Sequence, residues 1–148
     1  MKIAITLTLI GTTLTNAAYA ADFSPDQVKA ECEQKWDGQY DMIAYCIEKR
    51  EDGLSQYTTL RNAVDGNPEL TAAMDHCTRK WQQQWDMVGY CAQKQLDGVR
   101  ATLDTLNTLP QRVQAEVFHG CASKWEPQHD MIAYCVEKQA QAWRKLNQ

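Results

Sequence analysis

Residues 77–94, CTRKWQQQWDMVGYCAQK, form a cassette that occurs three times in this chain. The other copies are CEQKWDGQYDMIAYCIEK at residues 32–49 and CASKWEPQHDMIAYCVEK at residues 121–138. Each copy begins with a cysteine and has a second cysteine fourteen positions later, so the three copies contain all six cysteines. A repeat of this kind indicates stacked copies of one supersecondary unit.

The first twenty residues have the pattern of a secretory signal peptide. Lys2 is their only charge, an apolar stretch covers residues 3–15, and Ala18-Tyr19-Ala20 fits a small-residue cleavage site. The apolar stretch is too short to span a bilayer, which takes roughly 20 residues. We therefore expect cleavage after Ala20 and a periplasmic or secreted protein without a transmembrane segment.

Export would place the cysteines in an oxidising compartment, where an even number at repeated spacing predicts a disulfide framework. Removal of the first 20 of the 148 residues leaves 128, which is enough for one domain. This mature chain has 14 Lys and Arg against 19 Asp and Glu, a net charge of −5, because Lys2 leaves with the signal peptide. This negative net charge is not typical of a protein that binds nucleic acid, so we expect no nucleic acid as a partner.

The spacing of apolar residues predicts two helices in each unit. Residues 70–81 carry apolar side chains at steps of three and four, and the stretches before the other cassettes do the same. Ser24 and Asn67, each followed by a proline, are typical N-cap residues of first helices. The aspartates that recur after the turn are expected to be the N-caps of the second helices: Asp41, Asp86 and Asp130.

Helix geometry decides how the cysteines pair. In one continuous helix, Cys32 and Cys46 would lie about 21 Å apart, whereas a disulfide needs Cα atoms roughly 4.4–6.8 Å apart. In a hairpin that turns between the tryptophan and the aspartate, the two cysteines stand at similar heights and can face each other. Closing each loop would stabilise the fold by about 3 kcal/mol. The predicted pairs are Cys32 with Cys46, Cys77 with Cys91, and Cys121 with Cys135.

These patterns predict an all-α fold of three disulfide-stapled helical hairpins, about six helices in total, stacked as a short repeat array or a compact bundle. After the signal peptide at 1–20, the repeats cover residues 21–65, 66–108 and 109–148. Gly53 and Gly98 occupy matched positions inside the second helices, where glycine indicates a kink or a close helix crossing. The predicted hairpins are similar to those of coiled-coil-helix proteins with twin cysteines, but those proteins have two disulfides per hairpin instead of one.

The recurring large side chains predict a core around each disulfide. Rings and a flexible thioether fill such spaces well, although the same rings could form a ligand cage. The recurring lysines are expected to lay their stems on these rings with the ammonium in water; the alternative is a set of cationic sites for an anionic polymer. The predicted core residues are Trp36, Met42, Tyr45, Trp81, Met87, Tyr90, Trp125, Met131 and Tyr134.

The turns of the hairpins carry the candidate binding residues. A glutamine followed by a ring recurs in every turn, and exposed rings on a rigid loop are typical of binding surfaces. In the alternative interpretation, the ring folds back over its own hairpin as a lid and the glutamine bonds to the backbone of the turn. The residues are Gln39, Tyr40, Gln84, Trp85, Gln128 and His129.

No constellation for catalysis or metal binding is visible in the sequence. His76, His119 and His129 occupy unmatched positions in the repeat, which argues against a metal-ligand set built into the unit. Common metal, redox, esterase and phosphate-loop motifs are absent, so we expect no catalytic residues, no metal and no cofactor. The motif C-x-x-K-W-x-x-Q-x-D-M-x-x-Y-C is similar to segments of small exported bacterial proteins, which adds no function.

The functional hypothesis is an exported, non-enzymatic helical repeat module that binds another protein in the bacterial envelope or outside the cell. One alternative is an inhibitor or immunity protein against a toxin or envelope hydrolase. The other is a thiol-redox or metal-handling periplasmic protein. The sequence leaves the partner and the oligomeric state open.

Overall fold

The structure is a computed structural model that describes residues 23–147. The described chain forms six α-helices and no strand: α1 (Pro25–Lys35), α2 (Tyr40–Ala63), α3 (Pro68–Trp81), α4 (Trp85–Leu106), α5 (Gln111–Trp125) and α6 (His129–Leu146). The signal peptide predicted at residues 1–20 lies outside the described residues. Among the described helices, none has the length and apolar character needed to cross a membrane.

A disulfide joins the two helices of every hairpin, which confirms the predicted fold class and pairing. The Cα atoms lie 5.8 Å apart in Cys32–Cys46, 5.6 Å apart in Cys77–Cys91 and 5.7 Å apart in Cys121–Cys135. The first cysteine of each pair is buried. Each staple lies near the turn of its hairpin, between a short first helix and a longer second one.

The N-caps predicted for α1 and α3 are confirmed by hydrogen bonds. The Ser24 hydroxyl accepts from the backbone N–H of Gln27 at 3.3 Å, and the Asn67 side chain accepts from that of Leu70 at 3.1 Å. In both helices the residue after the cap is a proline. Proline suits this position because its missing N–H would be unpaired there in any case.

The N-caps predicted for the second helices are wrong. These helices begin two residues earlier than expected, and no side chain bonds to the helix end at their N-cap positions. The carboxylates therefore lie within the first helical turn, where the helix dipole still favours a negative charge. The N-caps are Gln39, Gln84 and Gln128, and Asp41, Asp86 and Asp130 follow two residues later.

The second helices lie side by side and build the interior of the protein. The central helix, α4, packs against α2 and against α6, whereas α1, α3 and α5 each pack on the second helix of their own hairpin. Tyr57, Met74 and Val88 are buried in a cluster between the first two hairpins, and Ile132 and Val136 are buried in the third. In the described chain the hairpins therefore form an open row with α4 in the middle.

The helix glycines mark close crossings between neighbouring hairpins. A Cβ atom on Gly53 would collide with the backbone of Trp85 at the start of α4. A Cβ atom on Gly98 would lie 2.5 Å from the carbonyl carbon of His129 at the start of α6. Of the two meanings considered for these glycines, the structure thus shows the close crossing.

The recurring tyrosines do not belong to the hairpin core, contrary to the prediction. Tyr45, Tyr90 and Tyr134 are 54%, 56% and 61% exposed. Each precedes the second cysteine by one residue, which rotates it about 100° away from the face that holds the disulfide. The matched tryptophans and methionines are all partly buried: Trp36, Met42, Trp81, Met87, Trp125 and Met131.

Candidate functional site

The ring at the start of each later second helix is buried in the preceding hairpin. Trp85 is 3% exposed, and its ring centroid lies 5.8 Å from that of Tyr57 and 6.4 Å from that of Phe23. His129 is 5% exposed, and its Nε2 atom lies 3.9 Å from a carboxylate oxygen of Glu69 in the second hairpin. The expectation that these two rings are exposed, or cover their own hairpin, is wrong, because they join successive hairpins.

Polar side chains at one matched position hold the same junctions. Gln95 on α4 accepts a hydrogen bond from the backbone N–H of His129 at 2.6 Å and donates one to Asp130 at 3.1 Å. Arg50 on α2 lies at the matched position, four residues after the second cysteine. It donates to the carbonyl of Gln83 at 2.7 Å and lies 3.5 Å from Asp86. Asp86 and Asp130 thus contact the preceding hairpin.

These contacts define two surfaces on every hairpin. We call the glutamine, ring and aspartate at the start of a second helix the tip, and the surface that receives the next tip the groove. Within residues 23–147 no hairpin precedes the first one, and its tip, residues 39–41, is exposed. Tyr40, the ring of this leading tip, is 83% exposed. Of the three rings predicted as binding residues, Tyr40 is thus the one that the fold leaves exposed.

The groove of the last hairpin receives no tip, because no fourth hairpin follows α6 in the described chain. This terminal groove has a volume of about 500 Å³. Its apolar lining comes from Val113 and Val117 on α5 and from Trp143 and Leu146 on α6. Leu146 is 85% exposed. The terminal groove is therefore an apolar surface of the same kind that is covered in the first two hairpins.

Two residues of the terminal groove depart from the repeat. Ala142 occupies the position of Gly53 and Gly98, seven residues after the second cysteine. Gly120 occupies the position before the first cysteine, where the other hairpins have Glu31 and His76. Both Ala142 and Gly120 line the terminal groove. Sequence reasoning missed this site, although these two departures from the repeat were visible in it.

Gly120 has no structural explanation within the described chain. It lies inside α5, where glycine costs about 1 kcal/mol relative to alanine. A Cβ atom on it would have nothing within 4 Å, whereas a Cβ atom on any other described helix glycine would meet the backbone of a neighbouring helix. Glycine in a helix is typical of places where another backbone approaches closely.

The recurring lysines lie over rings, as the sequence predicts. Six lysine ammonium groups stand 5.1–5.5 Å from a ring centroid, each over the tryptophan or tyrosine of its own hairpin. In the first hairpin the two pairs line one pocket of about 250 Å³ together with Arg50 and Asp86. Arg50 is already paired there with two carboxylates, Glu31 at 2.9 Å and Asp86 at 3.5 Å. The charge of Arg50 is therefore compensated, while Lys35 and Lys49 keep their positive charges in the lining of that pocket.

The His76 side chain is the partly buried base nearest in sequence to a disulfide. Burial lowers the pKa of His76 from its ordinary value of 6.5, and the nearby charges of Lys80 and Arg79 lower it further. Asp130 acts in the opposite direction. His76 is therefore held towards its neutral form, while Cys77 beside it is in a disulfide and carries no thiol.

Among residues 23–147, no group of three or more His, Cys, Asp or Glu side chains is arranged to hold a metal ion. Comparisons with models of protein families, with curated proteins and with solved structures find no match to this chain. The geometry of the hairpins is therefore the basis for assigning a function, and the terminal groove is the candidate site.

Proposed function

We propose that this protein is an exported, non-enzymatic module that binds another protein, and that the terminal groove receives an amphipathic helix of that partner. The observation that carries the proposal is Gly120, a helix glycine that lines the groove and faces open space. The three disulfides support a place outside the cytoplasm.

A helix is the expected occupant because the equivalent grooves already hold one. In the first two hairpins, the groove receives the first turn of the next second helix. In the terminal groove, Val113 and Val117 are four residues apart on α5, and Trp143 and Leu146 are three apart on α6. Two such apolar ridges form the kind of surface on which the apolar face of a helix packs.

The two departures from the repeat indicate how that helix would lie. On α6 the methyl group of Ala142 keeps a neighbouring backbone at the ordinary spacing of packed helices, roughly 8–10 Å between axes. On α5 the bare backbone of Gly120 permits a closer approach. The partner helix would therefore cross nearer to α5 than to α6. Lys124 and Glu116 place one charge of each sign in the groove lining, which suits a partner helix with both signs of charge.

Site-specific photo-crosslinking in the producing cell tests this proposal. A crosslinking residue at Leu146 should trap one exported protein, whereas the same residue at exposed Tyr90, outside the groove, should not. The crosslinked peptides should map to a helix of the partner. No product at Leu146, or the same products from both positions, would contradict the proposal.

A matched pair of variants then tests the role of Gly120 with the purified partner. Gly120→Leu places a side chain where we expect the partner backbone, and it should weaken binding by about tenfold or more, equivalent to about 1.4 kcal/mol. Ala72→Leu adds the same side chain at an exposed position of α3 and should leave affinity unchanged. Isothermal titration calorimetry measures both, and equal affinities for the two variants would exclude the groove as the binding site.

The alternatives stated from the sequence receive no specific support. An inhibitor or immunity protein would be one kind of protein binder, and the described residues favour no particular target. A thiol-redox role requires a cysteine that another thiol can reach; the first cysteine of every pair is buried, whereas Cys46 and Cys135 are partly exposed.

A further inference from the structure

The leading tip resembles the tips that are buried elsewhere in the chain. Gln39, Tyr40 and Asp41 have the same pattern as residues 84–86 and 128–130, namely glutamine, ring and aspartate at the start of a second helix. The rings of the two later tips are buried in a groove, but Tyr40 is 83% exposed. The leading tip is therefore a surface of the kind that a groove receives, and no groove precedes it in the described chain.

The terminal groove has the polar anchor for such a tip. Gln139 occupies the position of Gln95, which bonds to the tip of the third hairpin. The match between the leading tip and the third tip extends about one helical turn beyond the aspartate. Ala44 and Ala133 occupy the same position there. A second copy of the chain thus presents a tip of the right kind to a groove with the right glutamine.

One position in the terminal groove opposes this fit. Ala142 lies where Gly98 receives the third tip, and a Cβ atom at Gly98 would be 2.5 Å from both the carbonyl carbon and the oxygen of His129. These are backbone atoms at the start of a helix, which cannot move aside as a flexible side chain can. A tip seated in the terminal groove in the same way would meet the methyl group of Ala142.

We propose that the methyl group of Ala142 excludes the leading tip of a second copy from the terminal groove. Without this block, tip and groove would join copies head to tail. Such an interface uses different surfaces on the two copies, so it continues into open chains unless the rotation happens to close a ring. Ala142 would thus end the row at three hairpins. This inference goes beyond the proposed function, because it concerns a second copy and holds whether or not a partner is found.

Sedimentation velocity of the purified, disulfide-bonded protein tests the inference. The wild-type protein should sediment as a monomer from micromolar to near-millimolar concentration. Ala142→Gly should associate, with an average mass that rises with concentration and passes beyond twice the monomer mass. Ala142 is exposed and near the end of α6, so the substitution should leave the stapled fold intact.

Two controls identify the surfaces. Adding Tyr40→Ala and Asp41→Ala to the Ala142→Gly variant removes the leading tip and should restore the monomer. Ala101→Gly makes the same change at an exposed position of α4 and should remain monomeric. The inference is overturned if folded Ala142→Gly stays monomeric, if the wild-type protein associates equally, if loss of the tip does not reverse the association, or if Ala101→Gly associates as well.

Discussion

Gly53, Gly89 and Gly98 lie inside helices, where glycine costs about 1 kcal/mol relative to alanine, yet each is required by a neighbouring backbone. A Cβ atom on Gly89 would lie 2.6 Å from the carbonyl oxygen of Gly53, so the first junction needs glycine on both helices. The contact between hairpins is thus a contact of backbones, with side chains around it. At Gly120 the same residue type has no such neighbour in the described chain, which supports the proposal that a partner backbone approaches it.

This difference predicts opposite effects of two identical substitutions. Gly98→Ala should lower the free energy of unfolding by about 1–3 kcal/mol, because the added methyl group collides with the start of α6. Gly120→Ala should raise it by about 0.4–1 kcal/mol, because the site is open and alanine favours the helix. Urea unfolding followed by circular dichroism measures both. Equal changes in the two variants would contradict this account of the glycines.

The lowered pKa of His76 predicts a dependence of stability on pH. Burial comes first among its causes, followed by the charges of Lys80 and Arg79. Because the pKa is lower in the folded than in the unfolded protein, the unfolded chain binds more protons in the window below its ordinary value of 6.5. The stability that the neutral side chain contributes is therefore complete above about pH 6.5 and is lost as the pH falls through the folded pKa.

The variant His76→Gln should lose less stability than the wild-type protein between about pH 7 and about pH 5. Thermal unfolding at a series of pH values gives the comparison. The carboxylates titrate in both proteins, so the difference between the two curves isolates the histidine. Parallel curves would show that His76 is not the group responsible.

At the scale of elements, the second helices of the two later hairpins begin in contact with the second helix of the preceding hairpin. The first turn of α6 has no capping side chain of its own, and Gln95 of α4 supplies the acceptor for the backbone N–H of His129. Gln95→Ala should leave this buried N–H without a partner and lower the free energy of unfolding by about 1–3 kcal/mol. Hydrogen exchange of the amides at residues 129–132 should become faster.

Gln139 provides the matched control for this prediction. It has the same position in the terminal groove, where no tip is bound, and its side chain is exposed. Gln139→Ala should therefore change stability by no more than about 0.5 kcal/mol. An equal loss in both variants would mean that Gln95 acts through its own helix and not through the junction.

The hairpins could be predicted from the sequence because the forces that form them are local. Apolar steps of three and four give the helices, and a fixed separation of fourteen residues excludes one straight helix and leaves a stapled turn. The same local reasoning gave the N-caps of α1 and α3 correctly. It failed for Asp41, Asp86 and Asp130, because the second helices begin two residues earlier and place each carboxylate inside the first turn.

The candidate site was harder to predict because it depends on contacts between hairpins. Trp85 and Tyr40 have the same place in the repeat, yet Trp85 is buried and Tyr40 is exposed, since within residues 23–147 a hairpin precedes Trp85 and none precedes Tyr40. The sequence carries this information as departures from the repeat, at Gly120 and Ala142. Their meaning depends on knowing which backbone each position would meet, and that requires the packed structure.

At the scale of the whole molecule, the row of hairpins gives its three units unequal roles. The central helix α4 packs against both α2 and α6, whereas each of those helices has one such neighbour. The middle hairpin is thus the shared support of both ends. The leading tip and the terminal groove are the two surfaces that the row leaves uncovered, at its first and last hairpins.

This arrangement predicts that the loss of different disulfides destabilises different sets of helices, although each disulfide closes a loop of the same length. Replacing either Cys77 and Cys91 or Cys121 and Cys135 by alanine should cost about 3 kcal/mol in the chain-entropy model. Loss of the central pair should speed hydrogen exchange in both α2 and α6, because α4 supports both. Loss of the last pair should speed exchange in α5 and α6 and leave α2 protected. Exchange measured by mass spectrometry on both variants gives the comparison, and an equal, uniform loss of protection throughout the chain would show that the row unfolds as one unit instead.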